Sequence, residues 1–179
     1  MSGGVPADPL RYLAGYPAQA LDQVRALLQQ PDGLATVLRR RYPEPHGVRS
    51  DRALYDYVAE LKAEYLRQAP QVERVVFDSK LQLVHQALGL HRSMARVQGS
   101  KLKAKREIRI AALFRDAPPE FLRMIAVHEL AHLKEADHDR AFYRLCEYME
   151  PRYHQYEFDV RLYLAHLDAA GGRLWQPAA

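Results

Sequence analysis

The segment His128-Glu129-Leu130-Ala131-His132, followed by His138, places three imidazoles and a carboxylate where they can hold a divalent ion and move a proton beside it. Residues four apart on a helix sit one turn above each other on the same face, so His128 and His132 can grip one ion while Glu129 stands next to it. A catalytic zinc takes three protein ligands and leaves a fourth position to water, and His138 is the nearest third imidazole. A zinc held this way lowers the pKa of its water toward about 7, and Glu129 is the base that would accept the proton and return it to a leaving group. The chemistry to expect is hydrolysis at an electrophilic carbon or phosphorus. Zn2+ suits imidazole ligands best, although Ni, Co or Mn would fit the same set.

These residues need a particular local fold. On one continuous helix His138 would lie about 15 Å along the axis from His128, at about 1.5 Å per residue. The helix must therefore end soon after His132 and the chain must double back through the polar stretch Lys134-Glu135-Ala136-Asp137. Asp137 is then the expected N-cap of a new helix that carries His138 in its first turn. The run Phe121 to Val127 before the motif is apolar enough for a helix buried on most sides, where imidazoles and carboxylates cost several kcal/mol unless something pairs with them. Each ligand ring also needs a carboxylate or carbonyl partner for its second nitrogen, and Asp137, Asp139, Glu147 and Glu157 are the candidate carboxylates along the chain. Should His138 not ligate, His154 or Glu157 would be the next third ligand to consider.

Around this centre the pattern is α+β, with N-terminal helices, a small and mainly antiparallel sheet, the HExxH helix and C-terminal helices. Apolar spacing predicts helices over Tyr12–Gln30, Gly33–Arg41 and Asp51–Arg67, the last capped by Ser50. Short β-branched runs predict strands at Val72–Phe77, Leu81–Val84, Met94–Val97 and Glu107–Leu113, where Ile108 and Ile110 face one way and Arg109 the other. Pro118-Pro119 opens the motif helix. Helices over His138–Met149 and Tyr153–Leu167 follow, separated by Pro151. A single domain over 10–168 is expected, with 1–9 and 171–179 as flexible tails.

Composition narrows the class. The chain has 179 residues, 48% of them apolar, with no run long enough to span a membrane, which predicts a core of ordinary size and no membrane partner. The first residues lack a secretory pattern, so a cytoplasmic location is expected. Cys146 is the one cysteine, which excludes an internal disulfide, and its spacing with Phe142, Leu145 and Met149 makes it a core filler. The net charge of +4 is concentrated in Lys101, Lys103, Lys105, Arg106 and Arg109, a run that can hold phosphate or carboxylate groups or simply keep a strand edge solvated. No nucleic-acid motif accompanies it. His46, His85, His91 and His166 are expected to be exposed or hydrogen-bonded.

Several stretches together resemble the YgjP-like metallopeptidase group, related to minimal zincins: Leu13-Ala14-Gly15-Tyr16-Pro17, Arg96 to Gly99 with Lys101 to Lys105, Phe121 to Ile125, Val127 to Glu135, and Glu150 to Gln155. The resemblance implies His128 and His132 as metal ligands, Glu129 as general base and His138 as third ligand. It also implies two substrate classes, peptides for the wider group and UTP for its YgjP branch. Where wider members carry a Trp-Gly-Ser-Cys segment, this chain has Val97-Gln98-Gly99-Ser100, so its substrate cleft is expected to differ. Three functions are thus in play. They are peptide hydrolysis, phosphoanhydride hydrolysis with Lys101, Lys103, Lys105 or Arg109 on the phosphates, and a non-catalytic binding module in which the metal only stabilises the fold.

Overall fold

The computed structural model describes residues 8–81 and 107–177. Its N-terminal part begins with a 3-10 turn, Pro9–Leu13, whose first turn is closed by the Asp8 carboxylate accepting from Leu10 N–H. Helix α1 (Ala18–Leu28) starts later than the apolar spacing predicts. Gly15 adopts a positive φ of 90°, and Pro17 disfavours helical backbone at Tyr16, so Tyr12 belongs to the turn before the break. Helix α2 (Gly33–Arg41) follows closely, and a side chain at Gly33 would collide with the Leu27 carbonyl, which is how the two helices come so near. Helix α3 (Asp51–Tyr65) is capped as expected, with Ser50 Oγ accepting from Ala53 N–H.

The described strands, β1 (Arg74–Asp78) and β2 (Glu107–Ala111), run parallel, in register from Arg74 opposite Glu107 to Asp78 opposite Ala111. The α+β class therefore holds, whereas the antiparallel expectation does not for this pair. Alternating β-branched residues specify a strand and its faces but carry no direction, and the long stretch between these strands leaves room for a crossover. Ile108 and Ile110 are buried and Arg109 is exposed, the expected alternation. β2 stops at Ala111 and residues Ala112–Asp116 wind into a 3-10 turn. The expected strands at Leu81–Val84 and Met94–Val97 lie outside the described residues, apart from Leu81.

Helix α4 (Pro119–Ala131) has proline in its first turn and is buried nearly all round, with Phe121, Leu122, Met124, Ile125, Val127 and Leu130 in the core. Helix α5 (Arg140–Met149) and helix α6 (Tyr153–Ala170) pack beside it. α6 is the organising element, because it touches α2, α4, α5 and the Pro9–Leu13 turn. It ends at Gly171 in a left-handed conformation, and the chain then folds back instead of trailing away as a tail. Leu174 and Trp175 are buried, Trp175 packs on Phe121 and Tyr163, and its indole N–H donates to the Tyr42 carbonyl at 2.7 Å. Too few residues follow Gly171 to show a helical or strand period, so sequence patterning alone does not reveal this docking. Among the described residues, no helix is long and apolar enough to cross a membrane.

Candidate metal centre

α4 ends where the spacing argument requires. His132 is its C-cap, and Leu133, Lys134 and Glu135 continue in a tight turn through N–H bonds to the Leu130 and Ala131 carbonyls. His138 sits in the bend that follows. It is not in the first turn of α5 as expected, since the cap is Asp139, which accepts from Phe142 N–H at 3.0 Å, and Asp137 remains in the loop. Either aspartate can cap; the turn after His132 is two residues longer than the sequence reading allowed.

The outcome is a triangle of imidazole nitrogens. Nε2 of His132 lies 3.3 Å from Nε2 of His128 and 3.1 Å from that of His138, and the His138–His128 distance is 3.1 Å. A tetrahedral ion with zinc–nitrogen bonds of about 2.0–2.1 Å would separate its ligand nitrogens by about 3.3–3.4 Å, so the set is the right size. The hydrogen-bond pattern supports the same reading. Nδ1 of His132 faces the Glu135 carbonyl at 2.9 Å and must donate to it, which leaves Nε2 as a bare lone pair pointing into the triangle. His128 has its Nδ1 2.8 Å from the Tyr153 hydroxyl. Three ring nitrogens this close either share ring protons among themselves or turn lone pairs on a common cation, and His132 has no Nε2 proton to share. These three residues form a cluster suited to a divalent metal.

Electrostatics keep the rings in the form that ligates. Burial lowers the pKa of His128 well below the usual histidine value, reinforced by His132 and His138, and burial is also the first cause of the lowered values at His132 and His138. Glu129 is half-buried, and desolvation pushes its carboxyl up to about 7. A carboxyl of that pKa is matched to accepting and releasing a proton near neutrality. Phe142, which sequence reading treated only as core, packs its ring against all three imidazoles with centroids 4.6–4.9 Å away. Its place in the first turn of the helix after His138 was the available signal.

The other expected site residues distribute differently. Neither nitrogen partner is one of the four anticipated carboxylates: Asp139 caps α5, Glu147 pairs with His154 at 3.1 Å, Asp137 acts on His132 and His138 only through its charge, and Glu157 lies behind Tyr153. The His132 partner is a backbone carbonyl, the other class expected, whereas the tyrosine hydroxyl that meets His128 comes from a neighbouring helix and is set by packing that spacing does not display. His154 is exposed and outside the triangle. Arg109 projects from β2 and its guanidinium pairs with Asp78 at 2.8 Å and with Glu107 at 3.4 Å. Lys101, Lys103 and Lys105 lie outside the described residues, as do His85 and His91. His46 and His166 are buried and hydrogen-bonded to the Phe114 and Gly172 carbonyls. Cys146 is buried, and burial raises its thiol to about 12, as a core residue requires.

Comparison with known proteins agrees with this geometry. The YgjP-like metallopeptidase domain matches residues 47–161, a span that contains the whole histidine triangle. A protein of Escherichia coli (strain K12) named UTP pyrophosphatase is 53% identical over 165 residues, which covers 92% of this chain and 98% of the relative. No solved structure matches the chain.

Proposed function

The chain belongs to the YgjP-like metallopeptidase-domain family and is a metal-dependent hydrolase, and from that premise we propose that it is a zinc enzyme that cleaves a phosphoanhydride bond of a nucleoside triphosphate, with UTP the first substrate to test. The observation that carries the metal assignment is the triangle of Nε2 atoms from His128, His132 and His138 beside Glu129. The bound ion would lower the pKa of a water at the site and polarise the reacting oxygen. Glu129 takes the proton of the attacking water and delivers it to the departing phosphate as the new phosphorus–oxygen bond forms and the anhydride bond breaks. Phe142 closes one side of the three rings and keeps that face free of water.

The nucleotide reading is supported by the 53% identity to a protein whose name states that substrate. Lys101, Lys103 and Lys105 are proposed to neutralise the polyphosphate, and Arg109 would join them only by releasing Asp78. A second reading, peptide hydrolysis at the same centre, is supported by the family's metallopeptidase description. In a binding module the ion would need no neighbouring base, so Glu129 argues for catalysis. The test is product analysis of zinc-loaded protein with UTP and with a peptide library, beside Glu129→Gln. UTP turnover that falls about 10²–10⁴-fold in Glu129→Gln, with zinc stoichiometry retained, is the expected result. Undiminished turnover in that variant would remove Glu129 as the base, and turnover of peptides alone would favour the second reading.

A further inference from the structure

Behind His128, on the side away from the nitrogen triangle, lies a buried row of polar groups on α6 that hydrolysis as described does not use. Tyr153 is fully buried with its hydroxyl 2.8 Å from His128 Nδ1. One turn along the helix, the buried Glu157 carboxylate neighbours that hydroxyl. Its Oε1 accepts from Arg161 at 2.9 Å and 3.3 Å, while Arg161 Nη1 donates to the Tyr12 carbonyl at 2.8 Å. The row is thereby tied to the Pro9–Leu13 turn. Glu157 Oε2 is buried and, among the described residues, has no hydrogen-bond partner.

We infer that Tyr153 and Glu157 are positioning residues of the metal centre: Glu157, anchored by Arg161, draws the Tyr153 hydroxyl proton to itself and so selects the His128 tautomer whose Nε2 can ligate. This rests on the metal-hydrolase reading above. The reasoning is a count of protons. The tyrosine hydroxyl has one hydrogen to give. If it is given to His128 Nδ1, the neutral ring carries its own proton on Nε2, cannot bind an ion there, and Glu157 Oε2 stays unsatisfied. If instead Nδ1–H donates to the tyrosine oxygen, the hydroxyl hydrogen is free for Oε2, and Nε2 presents its lone pair to the triangle. The second arrangement satisfies every group in the row, and a buried carboxylate oxygen left without a donor makes the first costly. Glu157 also places negative charge near the centre, where its influence reaches His138. Ligand-orienting groups of this kind typically change metal affinity 10–100-fold when removed.

The test measures Zn2+ affinity of the full chain by competition with a chromophoric chelator, together with the visible absorption of the Co2+-substituted protein. Tyr153→Phe keeps the packed ring and removes the hydroxyl; it should weaken zinc binding about 10–100-fold and shift the cobalt bands. Glu157→Gln should do the same to a smaller degree. The double variant should bind within about threefold of Tyr153→Phe, because one row has been cut twice. Glu147→Gln, whose partner is His154, should bind zinc as the unmodified protein does and leave the cobalt spectrum alone. If Glu157→Gln strands Arg161 and fails to fold, Tyr153→Phe still decides the matter. Wild-type affinity with an unshifted spectrum in Tyr153→Phe would overturn the inference, as would losses that multiply in the double variant. His128→Ala separates the two levels: if it binds zinc undiminished, the metal-site reading itself fails, whereas loss there with no loss in Tyr153→Phe removes only the positioning role.

Discussion

Asp159 and Glu157 are two residues apart on α6, both carboxylates are buried, and they are partnered in opposite ways. Asp159 is saturated: Arg41 donates to one oxygen at 2.6 Å, and Tyr42 and Gln155 donate to the other at 2.6 Å and 3.1 Å. Glu157 has Arg161 on one oxygen and, among the described residues, no partner on the other, and it neighbours the Tyr153 hydroxyl that meets His128. The first is a knot that locks α2 to α6. The second has capacity in reserve. Helix periodicity puts the two on different faces, so a single helix braces the fold on one side and serves the histidines on the other. A buried polar group whose partners are complete points to architecture, whereas one left incomplete in a protein's interior points to a function that completes it.

The largest expected effect that would sharpen this contrast is in Asp159→Ala. Removing the carboxylate strands the Tyr42 hydroxyl and the Arg41 guanidinium, and should cost about 2–3 kcal/mol, the lower range for a broken buried pair because Arg41 is half exposed. Denaturant titration reads the loss, and zinc affinity of the folded fraction should stay at the wild-type value. Loss of zinc binding in Asp159→Ala would erase the distinction between the two faces. Glu157→Gln is the mirror experiment, with its main effect on metal affinity.

A smaller effect extends the comparison to His46, another buried polar group with complete partners. Its Nε2–H donates to the Phe114 carbonyl at 2.6 Å and its Nδ1 accepts from Val48 N–H at 3.0 Å, an arrangement that only the neutral ring can make. Burial holds its pKa below the usual value of about 6.5. The stability from the neutral ring is therefore complete above pH 6.5 and is lost progressively as pH falls from there through the lowered folded-state value. Thermal melts of zinc-loaded protein from pH 7 to pH 5 should show the melting temperature declining, and His46→Gln, which keeps a donor for Phe114 but cannot titrate, should show a shallower decline. An equal slope in both proteins would assign the acid sensitivity elsewhere.

Much of the centre was legible because its logic is local. The four-residue spacing of His128 and His132, the helix end required to bring in His138, and the proline start of α4 all follow from helix geometry, and all appear in the structure. What escaped the sequence depends on contacts between distant segments. Tyr153 reaches His128 from a helix 25 residues away, and the Glu135 carbonyl is a backbone group with no residue type to mark it. The parallel pairing of β1 with β2 is likewise a property of the connection, which period-two alternation does not encode. The burial of Trp175 against Phe121 required knowing that α6 ends beside α2 and α4.

The most direct measurement is an anomalous difference map collected at the zinc edge from crystals of the zinc-loaded protein. A single strong peak about 2.0–2.1 Å from Nε2 of His128, His132 and His138 is the predicted result. A peak held by other residues, or three rings that stay within hydrogen-bonding distance with no peak between them, would contradict it.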